Sequence, residues 1–338
     1  MIIAVDAMGG DYAPAEIVKG AAQGSRLHEV DVVLVGDESA IRAHLPAEFA
    51  RSSAISIRHA AETIGMDEHA AAVRTKRDAS VVVAASLVKD GAADAMVSVG
   101  NTAAAMVVAT LRLGLISGID RPALAAVFPS RGGATIMLDA GAVVDCSVEN
   151  LIQFALMGSV YAEKVLSIGN PRVGLLSVGE EKSKGSELVK AAHDELAASA
   201  VNFIGNVEGG DLFSDRADVI VTDGFSGNVA LKAAEGLVEH AIQLLRDDLR
   251  RHPLAMIPLA MLKPTLNRLK KRLDYSEYGG APLLGLNGVC IIGHGRSNAH
   301  AVSNAVRAAK EAVIGGVIPA IRDSLAAQEA RRPALNKD

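Results

Sequence analysis

Beside a strand read at 55–58, short aliphatic and β-branched runs without polar alternation recur along this chain, at 2–5, 30–35, 95–99, 173–178, 219–221 and 289–292. That is the pattern of strands buried on both faces of a parallel sheet. Between most of them the apolar positions repeat at helical spacing. The spacing predicts helices over 14–23, 39–45, 79–89, 102–111, 150–166, 187–196, 228–251 and from 299 to about 327. Residues 124–128 and 134–138 read as two strands joined by Pro129-Ser-Arg-Gly-Gly133, and 203–204 as one more. This alternation predicts an α/β fold, a mainly parallel sheet with helices on both faces. It occupies residues 1–330 as a single domain, either one unit or two lobes, with a frayed tail over 331–338.

The junctions carry the candidate chemistry. Ala217 to Lys232 runs from a buried strand through Thr222-Asp-Gly-Phe-Ser-Gly227 into a helix expected to start at Asn228. A turn at the carboxyl end of such a strand aims backbone N–H groups and a positive helix end at one spot, which suits a phosphate or a substrate carbonyl. One such junction alone is usually only a connection, but the construction repeats. Asp6-Ala-Met-Gly-Gly-Asp11 follows the first strand, offering Asp6, Gly9 and Gly10; Gly100-Asn101-Thr102 and Asp139-Ala-Gly141 follow two others. The segment 179–186 sets Lys184 beside Gly185 at a helix start, the place for a cation next to an anion site. The chain lacks Gly-x-Gly-x-x-Gly after its first strand, which weighs against a dinucleotide.

Composition narrows the classes. The net charge of −5 and an aromatic content of 3% argue against a nucleic-acid binder. Cys146 and Cys290 both lie in apolar surroundings, which reads as buried thiols in a reducing cytoplasm rather than a disulfide or metal framework. The start, Met-Ile-Ile-Ala-Val-Asp, is not a secretory signal, and no apolar stretch is long enough to span a bilayer. Arg74, Lys76 and Arg77 form a basic cluster, either a solvated face or a grip for an anionic partner.

Residues 240–275 read as a protruding helical hairpin. Its tip offers Leu254, Met256, Ile257, Leu259, Met261 and Leu262, interrupted by Pro253 and Pro258 and flanked by basic residues such as Arg250, Arg251, Lys263 and Lys270. The set is too short to cross a membrane and too apolar for an ordinary loop. It points either to a lipid surface, where flanking bases would meet anionic headgroups, or to a partner subunit.

Six motifs in one order then carry a family likeness: Asp6-Ala-Met-Gly-Gly-Asp11, Val97-Ser-Val-Gly-Asn-Thr102, Asp139-Ala-Gly141, Lys184-Gly-Ser-Glu-Leu188, Asp223-Gly-Phe-Ser-Gly-Asn228 and Gly279-Gly-Ala-Pro-Leu-Leu-Gly-Leu-Asn-Gly288. Together they resemble the bacterial phosphate acyltransferases of phospholipid synthesis, from residue 2 to about 320. The resemblance implies transfer of a fatty acyl group from acyl carrier protein, a strongly acidic partner, to inorganic phosphate without a cofactor. The acyl phosphate would pass to a glycerophosphate acyltransferase. It further implies a fold like the isocitrate and isopropylmalate dehydrogenases, a homodimer, and a cytoplasmic enzyme held at the inner face of the membrane. The chain departs from the family pattern around His294, in Gly293-His-Gly-Arg-Ser-Asn298, where Arg296 replaces a small polar residue.

Phosphate is already anionic near neutral pH and attacks a thioester carbonyl itself, so the protein has to hold it and stabilise the oxyanion. In that chemistry Lys184 would hold phosphate charge and Asn228 would orient phosphate or polarise the carbonyl. Asp6, Gly9, Gly10, Gly100, Asn101, Thr102, Asp139, Ser226, Gly227 and His294 would line the substrate. Phosphate acetyltransferase chemistry on coenzyme A thioesters, and a non-catalytic membrane scaffold for acyl carrier protein, stand as alternatives.

Overall fold

The computed structural model describes residues 1–251, 265 and 277–335. The hairpin tip at 254–262 and its returning stem therefore lie outside the described residues. Two sheets form the frame. The seven-stranded sheet has the order β3-β2-β1-β4-β12-β11-β5, from Ile55–His59 (β3), Asp31–Gly36 (β2), Ile2–Asp6 (β1), Ala95–Ser98 (β4), Val289–Ile292 (β12), Ala281–Leu284 (β11) and Ala123–Leu124 (β5). The five-stranded sheet has the order β6-β7-β10-β8-β9, from Ala126–Ser130 (β6), Gly133–Leu138 (β7), Val219–Val221 (β10), Arg172–Leu176 (β8) and Asn202–Val207 (β9). The antiparallel pairs are β11 with β12, β11 with β5 and β6 with β7; the other pairs are parallel.

The buried runs explain this frame because successive strand residues point to opposite faces. Val219 and Val221 of β10 enter one core and Ile220 the other; Val289 and Ile291 of β12 divide from Cys290 and Ile292 in the same way. The first core holds Ala15–His28 (α1), Val148–Lys164 (α5), Glu187–Ala198 (α6), Ala299–Ile314 (α8) and Val317–Leu335 (α9) against one face of both sheets. The second holds Ser80–Lys89 (α3), Thr102–Leu113 (α4) and part of Gly224–Arg251 (α7) against the other. Glu38–His44 (α2) closes the β2 side. Helix α1 lies so close on α8 that a Cβ at Gly20 or Gly24 would run into Ala299, Val302 or Val306. An extra methylene forced into such a contact destabilises by about 1–3 kcal/mol.

Several boundaries move from their predicted places. Helix α1 continues to His28, five residues past the expected end, and is stopped by Glu29 in the left-handed region. Ser147 rather than Asn150 caps α5; Asn150 is the reciprocal partner of a capping box. The last predicted helix is two, because Gly315 and Gly316, the latter at φ +62°, end α8 before α9 begins. Helix α9 then runs through Leu335, into the expected tail. The strand read over 124–128 divides into β5 and β6, one in each sheet, and β11 is absent from the hydrophobic pattern. No described helix is long and apolar enough to cross a membrane.

Candidate active site

Parallel neighbours end at the same edge of a sheet, so the loops after β1, β4 and β12 meet. Asp6 is buried there and accepts a hydrogen bond from Ser98 Oγ at 2.7 Å. Burial pushes its carboxyl above the usual range, while bonds from Ser80, Ser98 and the Met8 and Gly9 amides pull it down. Gly9 and Gly100 are wedged against this carboxylate: a Cβ on Gly9 would meet Asp6 Oδ2 and the Gly100 backbone. Gly10, at φ +104°, lets Asp11 N–H reach the Gly295 carbonyl at 2.8 Å. Asn101 caps α4 through Oδ1 and donates from Nδ2 to the carbonyls of Gly65, Met66 and Glu68, the last at 2.8 Å. Its polar atoms are thus fully engaged, so Asn101 anchors the 65–68 loop and does not offer its amide to a ligand. Thr102, one residue on, is exposed.

His294 stands half-buried in the β12 loop, its Nδ1 accepting from the Arg296 amide at 3.2 Å. Burial lowers its pKa, Lys232 and Arg296 lower it further, and Glu235 and Asp11 oppose them. Lys232 and Glu235 belong to α7, and Arg296 pairs with Glu239 of the same helix at 3.2 Å. Helix α7 is therefore the element that brings the second sheet's edge alongside the first.

At that second edge the loops after β7, β10 and β8 lie together. Asp139 is fully buried and accepts from four backbone amides: Leu124, Gly141, Ala142 and, at 2.6 Å, Val143. Burial pushes its carboxyl up and those amides pull it down. With its acceptors spent on backbone, Asp139 shapes the loop rather than lining a substrate. Helix α7 begins at Gly224, four residues before the expected start, because Asp223 caps it: Oδ1 accepts from Ser226 N–H and Oδ2 from Ser226 Oγ, both at 2.8 Å. The amide of Gly224 donates to the Val143 carbonyl at 2.8 Å and that of Gly227 to the Asp223 carbonyl at 3.0 Å. The amides of Gly224, Ser226 and Gly227, expected to await an anion, are thus already partnered. The two glycines are obligatory, since a Cβ on Gly227 would overlap the Asp139 carbonyl and one on Gly224 would strike the Asp139 carboxylate.

Asn228 is the fifth residue of α7, exposed, with its side chain resting on Gly141. Lys184 lies exposed in the loop between β8 and α6, and among the described residues its ammonium has no ion pair; Lys182 beside it is held by Asp194 at 2.5 Å. Ser177 Oγ, at the base of that loop against Gly185, is buried without a hydrogen-bond partner. Sequence reasoning missed Asp223 as the cap and Lys232 as a neighbour of His294. The first was signalled by Asp-x-x-Ser, the second by its place four residues after Asn228, on the same helix face.

Other sequence candidates lie elsewhere. Lys76 turns inward to Glu68 at 2.5 Å and to the Thr63 carbonyl at 2.8 Å, so it leaves the basic cluster, while Arg74 and Arg77 stay exposed. Burial pushes the Cys146 thiol up to about 11 and Cys290 up to about 12, so neither is a thiolate near neutrality. Among the described residues no three His, Cys, Asp or Glu side chains converge as a metal would need.

Comparison with known proteins bears on the family and the fold. A family model described as fatty acid synthesis protein matches residues 1–319. A phosphate acyltransferase of Pelotomaculum thermopropionicum is 51% identical over 335 residues, covering 98% of this chain and 97% of its own. One from Heliobacterium modesticaldum is 50% identical, covering 96% and 98%. Among solved structures, a phosphotransacetylase from Streptococcus pyogenes superposes with a TM-score of 0.63 at 18% identity, covering 95% and 94%. The EutD phosphotransacetylase of Staphylococcus aureus gives 0.61 at 16%, covering 92% and 94%. These last two share the fold. The near-complete match at half identity settles the family: this chain belongs to the phosphate acyltransferases, within the family described as fatty acid synthesis protein.

Proposed function

We propose that this enzyme transfers a fatty acyl group from acyl carrier protein to inorganic phosphate, giving an acyl phosphate for phospholipid synthesis. The observation that carries the reading is the pair Lys184 and Asn228, polar side chains without a partner among the described residues, one in the loop after β8 and the other near the start of α7, which follows the adjacent parallel strand β10. Of the carboxylates around them, Asp139 and Asp223 are bound by backbone and hydroxyl donors, while Glu181 stays exposed in the Lys184 loop. Phosphate oxygens would sit on Lys184. The Asn228 amide would donate to phosphate or to the thioester oxygen as negative charge develops there; one such donor is worth about 10²–10³ in rate. Phosphate oxygen attacks the carbonyl carbon, the tetrahedral oxyanion collapses, and the carbon–sulfur bond breaks to release the carrier thiolate, which takes a proton from water. Neutral His294, beside Lys232 and Arg296, would line the opposite wall with Asp6, Gly9, Gly10, Gly100 and Thr102.

Helix α7 also exposes Phe225, Val229, Leu237, Leu244 and Leu245, a stripe that a second copy of the chain would cover in a homodimer. The hairpin expected over 240–275, whose apolar tip at 254–262 lies outside the described residues, would rest on the inner face of the membrane and deliver product to a glycerophosphate acyltransferase. The test is direct. Acyl carrier protein thioester is incubated with the enzyme, and phosphate-dependent thiol release is measured. Release that does not depend on phosphate, or that occurs only with coenzyme A thioesters, overturns the reading.

A further inference from the structure

Away from the loops just described, a groove of about 470 Å³ opens between α4 and the segment leading into α3. Its floor is apolar, with Val73 and Val108 buried, and its wall carries Leu111, which is 64% exposed. Three guanidinium groups border it: Arg74, Arg77 and Arg112. Among the described residues none of the three has a carboxylate or carbonyl partner. Of the carboxylates nearest in sequence, Glu68 is engaged by Lys76, Asp78 by the Ala61 amide and Glu62 by the Asp78 amide, while Asp67 is exposed on the 65–68 loop. In a chain of net charge −5, three unpaired arginines around one exposed apolar side chain form a local reversal of sign.

We propose that this groove receives an acidic protein surface that presents an apolar side chain, and that its occupant is the carrier protein. The occupant rests on the donor reading above; the position of the groove is a separate claim. Charge complementarity gives orientation and association rate, and arginine beside apolar surface is the composition of an interface centre. The fold adds a geometric reason. Helix α4 starts at Thr102, in the wall of the candidate site, and Leu111 lies nine residues further along it. At 1.5 Å per residue the groove is roughly 14 Å from that wall, so a carrier docked there holds its thioester-bearing arm within reach of the cleft. Lys76 plays no part, because its ammonium is bound to Glu68 and Thr63.

The triple variant Arg74→Glu, Arg77→Glu, Arg112→Glu tests the groove, with Lys19→Glu on the opposite face of the sheet as a charge control. Binding of acyl carrier protein is measured by fluorescence anisotropy at several salt concentrations, and turnover of its thioester is measured alongside. The expected result is at least a tenfold weaker Kd and higher KM for the triple variant, a flatter salt dependence, and a kcat at saturating carrier close to that of the parent. Leu111→Ala should weaken binding severalfold and leave the salt dependence as it was. Parent-like binding in the triple variant, while the parent turns over carrier thioester, overturns the groove and leaves the donor reading intact. A parent enzyme that accepts only coenzyme A thioesters overturns both. Loss of dimer in the triple variant on size exclusion, or loss of its binding to anionic vesicles without loss of carrier binding, assigns the groove to another occupant and also overturns the proposal.

Discussion

The two strand edges that meet across the cleft look alike in sequence and differ in how their polar groups are used. At the seven-stranded edge, Asp6 and Asn101 face inward: one is bonded to Ser98, the other ties the 65–68 loop to the cap of α4. At the five-stranded edge, Asp139 and Asp223 bind the backbone and cap α7, and Lys184 and Asn228 face outward without a partner among the described residues. The same glycine, carboxylate and amide vocabulary thus builds a wall on one side and, in our reading, a reacting surface on the other. A polar residue beside a glycine turn is diagnostic only once its hydrogen-bond partners are counted.

The sharpest way to break this comparison is to remove the carboxylates. Asp139→Ala leaves four amides without an acceptor, at about 1–3 kcal/mol each when buried, so a loss of roughly 4 kcal/mol or more is expected in urea denaturation. Asp6→Ala should lose less, about 2 kcal/mol, because two of its four donors are the hydroxyls of Ser80 and Ser98, which can turn to other acceptors, whereas the Asp139 donors are all backbone amides. Equal losses would mean that the two edges are built the same way.

Next in size come the outward groups. Lys184→Ala and Asn228→Ala are each expected to lower phosphate-dependent turnover about 10²-fold with unchanged melting temperatures. Near-parental rates in both would move the reacting surface elsewhere. Asn101→Ala should show the reverse profile, a melting temperature reduced by the equivalent of about 1–2 kcal/mol for a lost cap and loop anchor, with a smaller drop in rate.

The smallest effect concerns pH. Burial and Lys232 hold the His294 pKa below 6.5, so the unfolded chain takes up its proton first. The stability contributed by this neutral imidazole is complete above about pH 6.5 and is lost as pH falls through the folded-state value. His28 shifts in the same direction, so His294→Gln should reduce, not abolish, the fall in melting temperature between neutral and mildly acid buffer. An unchanged slope would show that His294 is not held neutral.

Much of this was legible in the chain. The strands buried on both faces announced themselves as unbroken aliphatic runs, and the six motifs fixed the family. What escaped reading was long-range or locally misleading. Gly224-Phe-Ser-Gly227 has the composition of a turn, yet it is helical because α7 must lie against the Asp139 carbonyl and only glycine fits there. Asn101 reads as a ligand group until its partners, 33 to 36 residues away, are seen. The division into two sheets depends on β5 and β11, of two and four residues, which are too short for periodicity to show.

The joint that those short strands make has a mechanical meaning. Each apolar core runs across both sheets, and Leu124 of β5 bonds through its carbonyl to Ala140 and through its amide to Asp139. Hinge bending between the halves would shear two close-packed layers at once, a motion that dense interiors resist. Opening and closing around a substrate must then fall to the surface loops, chiefly the one carrying Lys184. Amide exchange should be fast over 178–186 and slow throughout β4, β7, β10 and β12.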